Sequence, residues 1–167
     1  IVGPTGMRTE GNHLNQGVYI RKGTRFVVQN SIVAEYPMGA LMVCNKTRPV
    51  LLNNTGSLFK YNIVHSDSAS RTFSWDKDYA VFGDDELKAF ALNDVNHNTM
   101  VENSGDLQLK TLYSDNVPDF MPAEGAAALT GANFEGNDFS SFFEAVPYRG
   151  AIGTNNWAAS GNWAVWQ

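Results

Sequence analysis

The residues able to carry chemistry in this chain are few and dispersed. His13, His65 and His97 stand far apart, none with a partner at zinc-ligand spacing, so each reads as a surface or loop side chain. Three acidic spots, Asp76-Lys-Asp78, Gly83-Asp-Asp-Glu86 and Asp94-Val-Asn-His-Asn98, offer the oxygen ligands that Ca²⁺ takes. A calcium-binding helix–loop–helix needs Gly at its sixth place and Glu at its twelfth. Counting from Asp94 those places hold Thr99 and Gly105, and from Asp76 they hold Val81 and Leu87, so the motif fails. A looser Ca²⁺ site is left open, while helix capping by Asp84 and Asp85 with Asx turns explains the same acids, and no cofactor is expected. Polysaccharide cleavage needs paired carboxylates or a Ca²⁺ cluster, yet the first fifty residues contain only Glu10 and Glu35. The opening Ile1-Val-Gly resembles an activated serine protease, but no Gly-Asp-Ser-Gly follows. No catalytic residue and no metal ligand is nominated.

Binding is better represented than catalysis. The first fifty residues carry six Lys/Arg against two acids, although the chain as a whole has a net charge of -5, which speaks against nucleic acid. Arg21, Lys22 and Arg25 are candidate contacts to an anionic ligand or partner, set against solvated charges on separate loops. Trp75, Trp157, Trp163 and Trp166 present flat apolar faces on which a sugar ring could stack. A terminal aromatic cluster reads better as a cap over an open apolar end, which leaves Trp75 and Trp166 as the candidate contacts. Cys44, the single cysteine, lies in the apolar run Ala40-Leu-Met-Val-Cys44 and reads as a buried, inert thiol.

The elements that must position these residues are short. Gly17-Val-Tyr-Ile20, Phe26-Val-Val-Gln-Asn-Ser-Ile-Val33, Gly39-Ala-Leu-Met-Val43 and Leu58-Phe-Lys-Tyr-Asn-Ile-Val64 are β-branched and aromatic runs bounded by turn formers. They echo one another: Gly17 and Gly39 are 22 residues apart, Asn30 and Asn62 are 32 apart. A recurrence on this scale suggests stacked β coils with inward asparagines, the longer interval holding an inserted loop at 45–57; a β-sandwich is the other reading. Residues 66–83 read as a polar loop. Asp84-Asp-Glu-Leu-Lys-Ala-Phe-Ala-Leu-Asn93 predicts a helix at about 84–93, with an acidic first turn. Leu107-Gln-Leu-Lys-Thr-Leu112 alternates as a half-buried strand. No apolar run approaches the length of a membrane-spanning helix, so no transmembrane segment is expected.

Gly17-Val-Tyr-Ile-Arg-Lys22, Asn30-Ser-Ile-Val33 and Tyr36-Pro-Met-Gly-Ala-Leu41 resemble, in this order, a largely uncharacterised family of surface right-handed β-helix proteins, chiefly of Bacteroidetes. The tail, with Pro118-Asp-Phe-Met-Pro-Ala-Glu-Gly125 and Val146-Pro-Tyr-Arg-Gly-Ala-Ile-Gly153, is similar to that family's C-terminal end. Ala126-Ala127 and Pro147 depart from its pattern, as local turn changes. The resemblance implies a secreted or outer-membrane protein of a Gram-negative bacterium, in some cases encoded near TonB-dependent uptake receptors. Its partners would be an outer-membrane receptor, another surface protein or a polysaccharide. Asp67-Ser-Ala69 resembles the O-glycosylation acceptor of exported Bacteroidetes proteins, which makes Ser68 a candidate glycosylation site.

The expected fold is therefore all-β, a right-handed parallel β-helix. Coils would occupy 1–116 and an exit with an aromatic C-terminal cap 117–167 of the same domain. The chain begins at Ile1 with neither Met nor a lipid-anchor cysteine, and is expected to be a processed product or part of something longer. The expected function is a non-enzymatic binding or accessory module at the cell surface. The alternatives are part of a carbohydrate-active lyase or glycoside hydrolase whose catalytic coils precede Ile1, and a structural stalk.

Overall fold

The structure is a computed structural model and describes residues 1–3, 15–53, 55–77, 80–111, 119–135 and 142–160. Its strands are β1 (Val18–Ile20), β2 (Val27–Gln29), β3 (Ile32–Val33), β4 (Leu41–Cys44), β5 (Leu58–Lys60), β6 (Ile63–Val64), β7 (Phe73–Lys77), β8 (Ala80–Gly83), β9 (Thr99–Met100), β10 (Leu109–Thr111) and β11 (Asp119–Pro122). Three short helices join them: α1 (Arg48–Leu52), α2 (Asp85–Ala91) and α3 (Trp157–Ser160). No helix among the described residues is long and apolar enough to cross a membrane.

These strands form four separate sheets. β1, β4 and β7 pair in parallel and β8 returns antiparallel on β7; β2 pairs with β5, and β3, β6 and β9 run parallel; β10 and β11 form an antiparallel pair. The expected all-β right-handed parallel β-helix is therefore corrected to a mixed arrangement of small sheets and helices. None of the four sheets closes or runs on as a solenoid sheet, and two of the pairings are antiparallel. The β7–β8 hairpin lies where a polar loop was expected. Phe73 and Ser74 are buried and the run Phe73-Ser-Trp-Asp-Lys77 alternates, a two-residue period hidden by its polar half.

The recurrences in the sequence do reappear as strand pairs, shifted by one residue. Val18 lies opposite Leu41, so Gly17 is level with Ala40 and not with Gly39. Gly39 instead turns the chain at φ +131, where a Cβ would come within 2.5 Å of the Arg71 carbonyl oxygen. Gln29 lies opposite Lys60, which sets Asn30 level with Tyr61 and Ser31 level with Asn62. Asn30 and Tyr61 both take left-handed backbone, as does His97 one pass later. The inward position is the next one along, held by Ser31, Asn62 and Asn98. Asn62 Oδ1 accepts the Ser31 N–H at 2.9 Å and Asn98 Oδ1 accepts the Asn62 N–H at 2.9 Å. Their amides donate in turn to the carbonyls of Val28, Phe59 and Ala91. Buried amides so satisfied lock the register, because a slip of one residue would orphan several polar groups at once.

The main core lies inside these passes. Val33, Leu41, Val43, Phe59, Val64 and Phe73 point into it from the strands, and Leu51 and Leu87 close it from α1 and α2. Each fully buried phenylalanine contributes roughly 2–3 kcal/mol. The expected inserted loop at 45–57 thus contains a helix whose Leu51 is fully buried. In α2, Asp84 accepts the Leu87 N–H at 3.0 Å as the N-cap, and Leu87 and Ala91 form the buried face. A second, smaller core of Ile32, Ala34, Ile63, Leu107 and Ala128 receives the tail.

Among the described residues, that tail is held by backbone and by one arginine. The Arg149 N–H donates to the Ala128 carbonyl and the Gly150 N–H to that of Asn30. The buried Arg149 guanidinium donates to the Thr130 and Ala127 carbonyls and to Thr99 Oγ1. Burial holds that guanidinium below its ordinary pKa. Phe142 is 89% exposed and Trp157 47%, so neither covers an apolar end. Trp163 and Trp166 lie outside the described residues, as do His13, Glu10 and Asp78.

Candidate functional site

The three basic residues read as a patch share one turn but engage different neighbours. Arg21 lies over the Tyr19 ring, 5.3 Å from its centroid, and Arg25 Nε donates to the Thr55 carbonyl at 2.7 Å. Lys22 takes φ 58, with its backbone N–H on Cys44 Sγ at 3.1 Å. Arg48, from the same basic stretch, instead clasps Asp84 and Glu86. Trp75 is half-buried on β7 against Phe82, with ring centroids 5.8 Å apart, and packs on the main core. Ser68 stands in the bend after β6, its hydroxyl 3.1 Å from that of Ser70.

Cys44 is half-buried, not fully buried as its apolar run suggests. It ends β4 half-exposed, and Sγ receives the Lys22 N–H and lies 3.3 Å from Thr47 Oγ1. Burial pushes the thiol up, but the Thr47 hydroxyl and the N–H groups of Thr47, Lys22 and Lys46 outweigh it and leave the pKa below the ordinary thiol value. Next to it, the Tyr19 hydroxyl donates to Asp76 Oδ2 at 2.6 Å. Burial first, and then that hydrogen bond, hold the phenol far above its ordinary range.

Beyond β3 and β6 the chain brings together three residues that sequence spacing keeps apart. Val33 pairs with Val64 and the His65 N–H donates to the Val33 carbonyl at 2.9 Å, so Glu35 and His65 emerge side by side. Glu35 takes φ 63 there, and both side chains are buried, with His65 Nδ1 3.2 Å from Glu35 Oε1. Asp67, exposed, completes a group whose ligating atoms all lie within 4.8 Å of one another. His65 Nδ1 also accepts the Glu35 backbone N–H at 3.3 Å. A nitrogen accepting that hydrogen has no proton for the carboxylate, and Glu35 Oε1 is buried without a hydrogen-bond partner. Sequence spacing leaves His65 without a neighbour of this kind, and the fold sets Glu35 and Asp67 beside it. The signal was the strand register, which sets residue 34 against 65; neither residue type nor spacing shows it.

At Ile32, where β3 begins, a cleft opens between that strand and the tail. One part, of about 210 Å³, is apolar, with Ile32, Leu109, Phe120 and Ile152 in its wall. The adjoining part, of about 470 Å³, has Gln29, Asn30 and Ser31 on one side and Phe134 and Phe143 on the other. Asn30 holds the cleft's shape: its amide donates to the Asn133 carbonyl and its Oδ1 accepts the Asn133 N–H, both at 2.9 Å. Phe143 is 52% exposed and edge-on to Phe142, and Trp157 Nε1 donates to the carbonyl of Ala151, another lining residue, at 2.7 Å. An apolar concavity with a few polar groups in its wall suits a small organic ligand or a segment of a polymer. Comparison with protein-family models, with curated proteins and with solved structures returns no match, so the resemblance to the surface β-helix family rests on the quoted motifs alone.

Proposed function

We propose that this chain is a binding or accessory module, without catalysis of its own, whose cleft takes a segment of a carbohydrate chain. The observation that carries this reading is a cleft whose lining brings the rings of Phe134 and Phe143 together with the polar segment Gln29-Asn30-Ser31. Aromatic faces suit the C–H face of a pyranose, and polar groups in the same wall suit its hydroxyls. Support also comes from rigidity: Asn30, at the bend between β2 and β3, is locked to Asn133 in both directions, so little order need be lost on binding. The reading accords with the extracytoplasmic setting that the family resemblance implies.

A glycan array probed with the whole chain, followed by calorimetry on the best oligosaccharide, tests it. Phe143→Ala is expected to weaken binding by up to about tenfold, the worth of one aromatic contact. Binding of no glycan, or binding indifferent to that substitution, would sink the reading. New reducing or unsaturated ends on incubation with polysaccharide would replace it with a carbohydrate-active enzyme.

A further inference from the structure

We propose that Glu35, His65 and Asp67 bind a divalent cation of borderline hardness, with Zn²⁺ as its type, which ties the bend after β3 to the bend after β6. The group lies apart from the cleft residues and is independent of the carbohydrate reading. Glu35 is 4% exposed, and a carboxylate oxygen buried without a donor is a costly arrangement unless something positive meets it.

Two cationic occupants could meet it. The first is a proton on His65 Nδ1, which would make a histidine–glutamate ion pair. The separation of 3.2 Å exceeds the roughly 2.7–2.9 Å of such charge-assisted bonds. The second is a metal ion. Ligands at about 2.0–2.1 Å around a tetrahedral centre stand about 3.3 Å from one another, close to the Oε1–Nδ1 separation. The ion displaces only the 3.3 Å hydrogen bond from the Glu35 N–H, long for its kind. Asp67 supplies the third ligand from the solvent side, where a water completes the shell.

The donor set selects the class of metal. One imidazole with two carboxylates is a poor match for Ca²⁺ or Mg²⁺, which prefer oxygen throughout, and lacks the thiolates that soft ions seek. It suits Zn²⁺ or Mn²⁺, and at a given site Zn²⁺ binds the tighter of the two.

The whole chain, carrying Cys44→Ser to remove its single thiol and stripped with chelator, is titrated with ZnCl2 by calorimetry and melted with and without the metal. One Zn²⁺ per chain and a Tm that climbs with its concentration are expected. Asp67→Asn, at an exposed position that leaves the fold intact, should weaken binding by more than about tenfold, since even outer partners of metal ligands are worth that much. Glu35→Gln should do the same. Absence of saturable binding, Zn²⁺ bound equally well by parent and Asp67→Asn, or CaCl2 binding at least as tightly as ZnCl2 would each overturn the proposal.

Discussion

Replacing Arg48 with Met should destabilise the protein more than replacing its partner Asp84 with Asn, and the difference should depend on pH. Asp84 has two tasks: its Oδ1 accepts the Leu87 N–H as the cap of α2, and both carboxylate oxygens receive the Arg48 guanidinium, with Nη2 to Oδ1 at 2.9 Å. The side chains differ in exposure, 3% for Asp84 and 26% for Arg48. Asp84→Asn keeps a good cap and leaves behind an arginine that can reach water and still pair with Glu86, so it should cost about 1 kcal/mol. Arg48→Met strands a buried carboxylate. A fully buried pair broken this way costs roughly 3–5 kcal/mol, and the residual favourable field of the helix N-terminus lowers the figure here to about 2 kcal/mol. Burial alone would raise the Asp84 pKa, but the Arg48 and Leu87 hydrogen bonds outweigh it and hold the carboxyl below its ordinary value. A depressed carboxylate stabilises above its unfolded pKa, near 4, and that contribution disappears as pH falls through the folded value. The gap between parent and Arg48→Met should therefore be full at pH 7 and shrink below about pH 4. Urea unfolding followed by tryptophan fluorescence, to which the core residue Trp75 contributes, measures it. Equal costs for the two variants, or a gap unchanged between pH 7 and pH 3, would refute the reasoning.

Two further outcomes follow from the hydrogen bonds around buried or half-buried groups. The alkylation rate of Cys44 should rise with a midpoint below the roughly 8.5 of a free thiol, and Thr47→Ala should move it upward; a pH–rate profile with iodoacetamide that shows a midpoint at or above the free value would count against the Sγ geometry. Asn98→Ala should cost about 3 kcal/mol in urea unfolding, because it leaves the Phe59 and Ala91 carbonyls and the Asn62 N–H without partners, whereas a loss under about 1 kcal/mol would mean the stacked amides do not hold the register.

Local chemistry alone was enough to read part of the molecule. The runs around Val18, Val28, Leu41, Phe59 and Ile63 declare themselves as strands because β-branched and aromatic residues between turn formers have few other good conformations. Asp84 declares a helix start in the same way, since capping is decided within one turn. Recurring asparagines likewise pointed to buried amides, although Asn30 proves to be the bend residue and Asn98 the third member of the inward row. The β7–β8 hairpin escaped notice because Ser74 and Asp76 make the run look polar, although Ser74 is buried along with Phe73 and Trp75 packs on the core.

What the linear chain could not decide was register and direction. A shift of one residue sets Gly17 beside Ala40 rather than Gly39, and whether β8 continues upward or turns back on β7 depends on contacts that form only when the sheets assemble. For the same reason the stack of coils expected from recurrence becomes four small sheets. The chemistry follows the register. Glu35, His65 and Asp67 have no meaningful spacing in sequence, and they meet because Val33 lies against Val64. Length and residue type determined which segments would be strands, helix and core; the pairing between passes, a sum of long-range hydrogen bonds, determined which side chains share a site.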